Sequence, residues 1–132
     1  MISIENTEVI KNNVKNSLDK FNLTFNISLE NNGKSIRVTG YNEELFMWIR
    51  ILPDLSCENG NKYIVDLNNI NIPLKLRNKH IFTTVYERLC NCKYVSEVRV
   101  TSICTDMMRF WCEKNGLYSI NGYDYSSKKR KV

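Results

Sequence analysis

The sequence predicts a mixed α/β (α+β) fold, with an antiparallel N-terminal half, then a β-α-β unit, and a further helix and strand at the C-terminal end. Three observations predict it. Apolar residues recur at helical spacing from Ile10 to Phe21, alternate at period two from Leu23 to Val38, and return to a 3.6 period after Lys79 between two strand-like stretches. At 132 residues the chain has room for one core. We expect one domain over residues 1–125 and a basic flexible tail over 126–132.

Ile10, Val14, Leu18 and Phe21 define one helical stripe behind Asn6 or Thr7 as a cap, with Glu8 in the first turn. Leu23, Phe25, Ile27 and Leu29 alternate with polar residues up to Asn31-Asn32-Gly33, a turn signal, and Ile36 and Val38 resume the alternation as a hairpin with one wet face. Leu45 to Leu52 is apolar on both faces apart from Arg50, so it predicts a central strand ended by Pro53. Tyr63 to Leu67 and Ile70 to Leu76 predict two strand segments, Pro73 fitting only an edge or a bulge. A helix from Lys79 to about Cys90 carries Ile81, Val85 and Leu89 on one stripe, and Val95 to Ile103 reads as a strand parallel to Ile70–Leu76 by the right-handed crossover rule. Thr105-Asp106 caps a further helix with Met108, Trp111 and Cys112 on its apolar side, Asn115-Gly116 ends it, and Leu117 to Tyr125 forms a last strand.

Composition narrows the function. No stretch approaches the ~18–20 apolar residues of a membrane span, and the first residues lack the basic-then-apolar order of a signal peptide. The five cysteines match no zinc template, because Cys90 and Cys92 lie too close and His80 is the sole histidine; reduced thiols in the cytoplasm are expected, with no disulfide and no metal. The net charge of +5 resides mainly in Lys128-Lys129-Arg130-Lys131, so nucleic acid is expected as a partner only through this tail. That cluster resembles a nuclear-localisation signal, and a solvated tail is the alternative. Trp48, Met107, Met108 and Trp111 read as core and helix packing.

Chemistry is expected where the loop leaving a strand meets a helix N-terminus, because the first backbone N–H groups of a helix lack partners and attract anions. Here that loop is Leu76-Arg77-Asn78-Lys79-His80-Ile81-Phe82-Thr83, two cations beside free amides. Solvated loop charges are the plainer alternative. For a general base the candidates are Asp66, in an otherwise apolar strand, and the pair Glu43-Glu44.

From Leu76 to Leu117 the order of signals resembles the GNAT superfamily of N-acetyltransferases. Arg77-Asn78-Lys79-His80-Ile81-Phe82 is similar to the family's R-x-K-G-I-G/F segment, Val95-Ser96-Glu97-Val98-Arg99-Val100 to its fifth strand, and Phe110-Trp111-Cys112-Glu113-Lys114-Asn115-Gly116-Leu117 to its signature ending F-Y-E-K-x-G-F. The resemblance covers the last third to half of the domain. It implies acetyl-CoA as cofactor, with its pyrophosphate held by Arg77, Asn78, Lys79, His80, Ile81, Phe82 and Thr83. It also implies a fifth strand splayed from the fourth to admit the pantetheine, and acetyl transfer to an amine acceptor.

Three departures stand beside it. His80 replaces a loop glycine that lets the backbone approach the phosphate. Cys112 replaces the tyrosine that protonates the departing thiolate; a thiol could give that proton, or the residue could simply fill the core. One helix precedes the hairpins where the family has a strand and then two helices. The sequence therefore supports two functions: an acyltransferase with Asp66 and Cys112 as base and acid, or an inactive relative serving as a protein-binding module, such as a viral or mobile-element inhibitor or structural component.

Overall fold

The stripe Ile10, Val14, Leu18 lies fully buried in the computed structural model, which describes residues 4–43, 45–56, 62–71, 81–101 and 106–128. It belongs to α1 (Ile4–Ser17) and the turn that follows it. The helix starts before the expected cap, so Asn6 and Thr7 lie within it; Glu5 in the first turn complements the positive end of the dipole. A 3-10 turn at Asp19–Phe21 ends on Asn22, whose φ of 52° is left-handed, a conformation asparagine tolerates.

The hairpin forms as its turn residues predict. β1 (Thr24–Glu30) and β2 (Ser35–Tyr41) pair antiparallel in unbroken register across Asn31, Asn32 and Gly33, all three at positive φ. β3 (Phe46–Pro53) lies between β2 and β4 (Tyr63–Asn71), antiparallel to both. α2 (Ile81–Cys90) then leads to β5 (Val95–Val100), which pairs parallel with β4. α3 (Asp106–Lys114), β6 (Tyr118–Ser119) and β7 (Tyr125–Ser126) complete a seven-stranded sheet ordered β1-β2-β3-β4-β5-β7-β6.

Strand alternation sends one set of side chains into a single core. Ile36 and Val38, Met47, Ile49 and Ile51, Tyr63, Val65 and Leu67, and Val98 and Val100 gather there with the α1 stripe and with Ile81, Val85 and Leu89 of α2. α3 ends in a Schellman motif: Gly116 sits at φ 77°, the Leu117 N–H reaches the Cys112 carbonyl, and the Gly116 N–H reaches that of Glu113. No described helix is long and apolar enough to cross a membrane.

Three expectations change. The segments 63–67 and 70–76 are not two strands: β4 is continuous to Asn71, and the partner of β5 is its first part, Tyr63–Leu67. A β-bulge lets the strand bend without breaking, because Trp48 pairs with Asn69 and Ile49 with Leu67, leaving Asn68 as the extra residue. Residues 72–80 lie outside the described chain. The last strand is instead the hairpin β6–β7, folded back because Asn121 Oδ1 accepts from the N–H groups of Tyr123 and Asp124 while Gly122 takes φ 90°. The body reaches past 125: Ser126 is buried in β7, and Ser127 N–H donates to the Val98 carbonyl at 2.8 Å. As expected, a single α-helix precedes the hairpin β1–β2, and four antiparallel strands, β1 to β4, lie ahead of β5.

Ile49 is fully buried between Val38 and Leu67 in the neighbouring strands. Ile49→Ala should destabilise the fold by about 2–5 kcal/mol in denaturant unfolding, the range for emptying a packed core site. Leu29→Ala, at a side chain 57% exposed, should cost about 1 kcal/mol or less.

Candidate functional site

The parallel seam between β4 and β5 runs from Tyr63–Val95 to Leu67–Val100, and the Thr101 N–H adds a long contact to the Leu67 carbonyl at 3.4 Å. There the described ladder ends. β4 continues for residues 68–71 with β3 alone, past the bulge at Asn68. The edge of β4 that faced β5 is thus left without a described strand partner, at the carboxyl end of two parallel strands, where sheets of this kind bind ligands.

Asp66 lies beside that opening. Its neighbours Val65 and Leu67 point into the core, so alternation puts its side chain on the opposite face of the sheet. Register places Arg50 directly across on β3 and Arg99 directly across on β5. Thr101 Oγ1 donates to Asp66 Oδ1 at 2.6 Å. Burial pushes the Asp66 carboxyl above its usual range, and the Asp124 carboxylate adds to that; the Thr101 hydrogen bond and the two guanidinium groups pull the other way. A buried carboxylate with a raised proton affinity, held by one hydroxyl, can accept a proton from a bound group.

Further partners complete the cluster. Arg99 Nε donates to Glu97 Oε2 at 2.7 Å, and Ser126 Oγ donates to the same oxygen at 2.6 Å. Arg37 and Arg50 both approach Glu30, at 3.3 and 3.6 Å, and both guanidinium groups lie over the Trp48 ring, at 4.2 and 5.3 Å from its centroid. Trp48, expected as simple core packing, is therefore a shelf for two cations. Among the described residues no group of His, Cys, Asp and Glu gathers as a metal site.

The other expected site residues are spread differently. Arg77, Asn78, Lys79 and His80 lie outside the described residues, as does Glu44. Ile81 and Phe82 turn their side chains into the core, so only their backbone N–H groups, in the first turn of α2, could meet an anion. Thr83 is half-buried, and its Oγ1 accepts from Trp111 Nε1 at 2.9 Å, a contact that ties α2 to α3. The ring of Trp111 also meets Phe82 and Tyr86 edge-on. Cys112 is fully buried, and burial pushes its thiol up to about 11. Cys90, Cys92 and Cys112 are free thiols.

Sequence reasoning found Asp66 but missed Arg50, Arg99, Thr101 and Glu97. Positions 97, 99 and 101 do alternate as polar residues against Val98 and Val100. That alternation marks a polar face, yet only the strand register shows that Asp66 is opposite it.

The Asp66 carboxyl should titrate above the ordinary value of 3.8 in an NMR pH titration, and Thr101→Val should move the midpoint higher by removing a bond to the charged form. The folded value exceeds the unfolded one. This group's stabilising contribution is therefore complete below the unfolded value and is lost as pH rises through the folded one. Asp66→Asn should gain stability relative to wild type as the pH goes from about 3 to about 7, whereas a pH-independent difference would mean that folding leaves this carboxyl unperturbed.

No family model matches the chain, and no curated protein matches it. Among solved structures, it is similar to Arabidopsis thaliana Naa50 in complex with the bisubstrate analogue CoA-Ac-MVNAL, at a TM-score of 0.43 and 11% identity over 70% of this chain and 72% of that one.

Proposed function

We propose that this chain binds acetyl-CoA at the opened end of the β4–β5 seam and transfers the acetyl group to an amine, with Asp66 as the general base. The observation that carries this reading is the geometry of β4: paired with β5 through Leu67, bulged at Asn68, then without a strand partner on that side among the described residues for 68–71. A free strand edge offers backbone donors and acceptors to the two amides of a pantetheine arm, as an edge does to any extended peptide. The first turn of α2 supplies N–H groups for the pyrophosphate, with Arg77 and Lys79 arriving immediately before it in the chain. Bound acetyl-CoA would supply the activated acyl group. On this reading the amine nitrogen would attack the carbonyl carbon, the carbon–sulfur bond would break with CoA leaving as its thiolate, and the proton lost by nitrogen would pass to the Asp66 carboxylate.

A second reading has its own support: Cys112 is fully buried and its thiol is held to about 11. A group so placed serves packing and would leave the departing thiolate to take its proton from water. That observation favours an inactive relative that uses the fold to bind a protein.

Thermal unfolding separates the two. Acetyl-CoA at a hundredfold excess over Kd should stabilise the chain by about 2.7 kcal/mol, whereas no shift at any concentration would leave the binding-module reading. In calorimetric titration, Arg77→Ala should weaken binding by about 1.5–3 kcal/mol, while His80→Gly should keep or tighten it by restoring close backbone approach.

Asp66→Asn isolates the chemistry from binding. It should retain affinity for acetyl-CoA and lose acetyl transfer to an amine library by roughly 10²–10⁴-fold, the usual worth of a general base. Equal loss of binding and transfer would make Asp66 a structural residue of the seam instead.

A further inference from the structure

β1 is the end strand of the sheet, and among the described residues nothing pairs with its outer edge. It is also an unprotected edge. Its seven residues, Thr24-Phe25-Asn26-Ile27-Ser28-Leu29-Glu30, contain no proline and no lysine, and they run in register with β2 without a bulge, so the usual devices that deter edge pairing are missing. Ile27 and Leu29 stand 44% and 57% exposed on the apolar side of this strand.

The residue order identifies the occupant. We propose that β1 pairs antiparallel with β1 of a second copy, about a two-fold axis through Ile27, joining two sheets into one. Read outward from Ile27, the strand is symmetric in character: Asn26 and Ser28, then Phe25 and Leu29, then Thr24 and Glu30. Two-fold pairing sets Ile27 against Ile27 and Phe25 against Leu29 on one face, and Asn26 against Ser28 on the other. Every apolar side chain meets an apolar one. A shift of one residue would oppose apolar to polar positions throughout.

Charge agrees with the same arrangement. The sole ionisable residue of the strand, Glu30, falls at one end, where it meets the partner's Thr24 and not the second Glu30, which sits about 20 Å away across a seven-residue ladder. Each Glu30 is also already matched within its own chain by Arg37 and Arg50. Antiparallel pairing about this axis therefore opposes no like charges. The seam is short, which puts the dimer in the weak, concentration-dependent class.

Analytical ultracentrifugation of the full chain, over a dilution series of roughly a hundredfold, should show a reversible monomer–dimer equilibrium. Ile27→Lys, which sets two ammonium groups face to face at the axis, should leave a monomer with unchanged circular dichroism. The register has its own readout. Ile27→Cys should form an intermolecular disulfide under mild oxidation, above the background of the native thiols, and Asn26→Cys should not. A wild type that stays monomeric throughout, an Ile27→Lys protein that still dimerises, or cross-linking through Cys at 26 in place of 27 would each overturn the proposal.

Discussion

The seam between β4 and β5 is the contact on which the rest of the molecule depends. It joins an antiparallel sheet, β1 to β4, to a C-terminal half that, among the described residues, has no other strand contact with it. Parallel pairing forces the chain to cross over the sheet, and α2 is that crossover; its buried residues Ile81, Val85 and Leu89 then share a core with α1. One inserted residue, Asn68, interrupts the register of β4 against β3 just past its last described pair with β5. Were β4 regular, Asn69 and its neighbours would shift by one position against β3, and the register of the whole second part of the strand would change.

How much of this was legible depends on the range of the interaction. The helices were legible because 3.6-residue periodicity is local, and the stripes Ile10–Val14–Leu18 and Ile81–Val85–Leu89 are buried as it requires. The hairpin turn was legible because Asn31, Asn32 and Gly33 accept left-handed φ. The bulge was not. In the sequence, Asp66-Leu67-Asn68-Asn69-Ile70 looks like a strand that stops and restarts, because a bulge breaks the period without breaking the ladder. The β6–β7 hairpin was hidden for a different reason: backbone N–H groups donating to the side-chain oxygens of Asn121 and Ser119 make its turn, and these bonds leave no trace in hydrophobic periodicity.

Asp66 shows the same limit at the site. An acidic residue within Tyr63-Ile64-Val65-Asp66-Leu67 announces itself, but its chemical character comes from residues on other strands. Ser28, Arg37, Arg50, Asp66, Arg99 and Ser126 are successive direct partners across six strands, a single transverse row on the face away from the core. Arg50 and Arg99, on either side of Asp66 in this row, keep the buried carboxylate from becoming an uncompensated charge, while the burial still raises its affinity for a proton. In the chain itself these residues are separated by loops and helices, and only pairing brings them together.

The two tryptophans occupy opposite sides of the seam. Trp48 lies on the antiparallel sheet beneath two guanidinium groups, and Trp111 is clasped between α2 and α3 by Phe82, Tyr86 and the Thr83 hydroxyl. With no third indole in the chain, each half carries one intrinsic fluorophore in a distinct environment, one polarised by cations and one enclosed by aromatic rings. Emission from single-tryptophan versions would then report the loosening of each half separately, so the chain comes already labelled for asking whether its two halves unfold together.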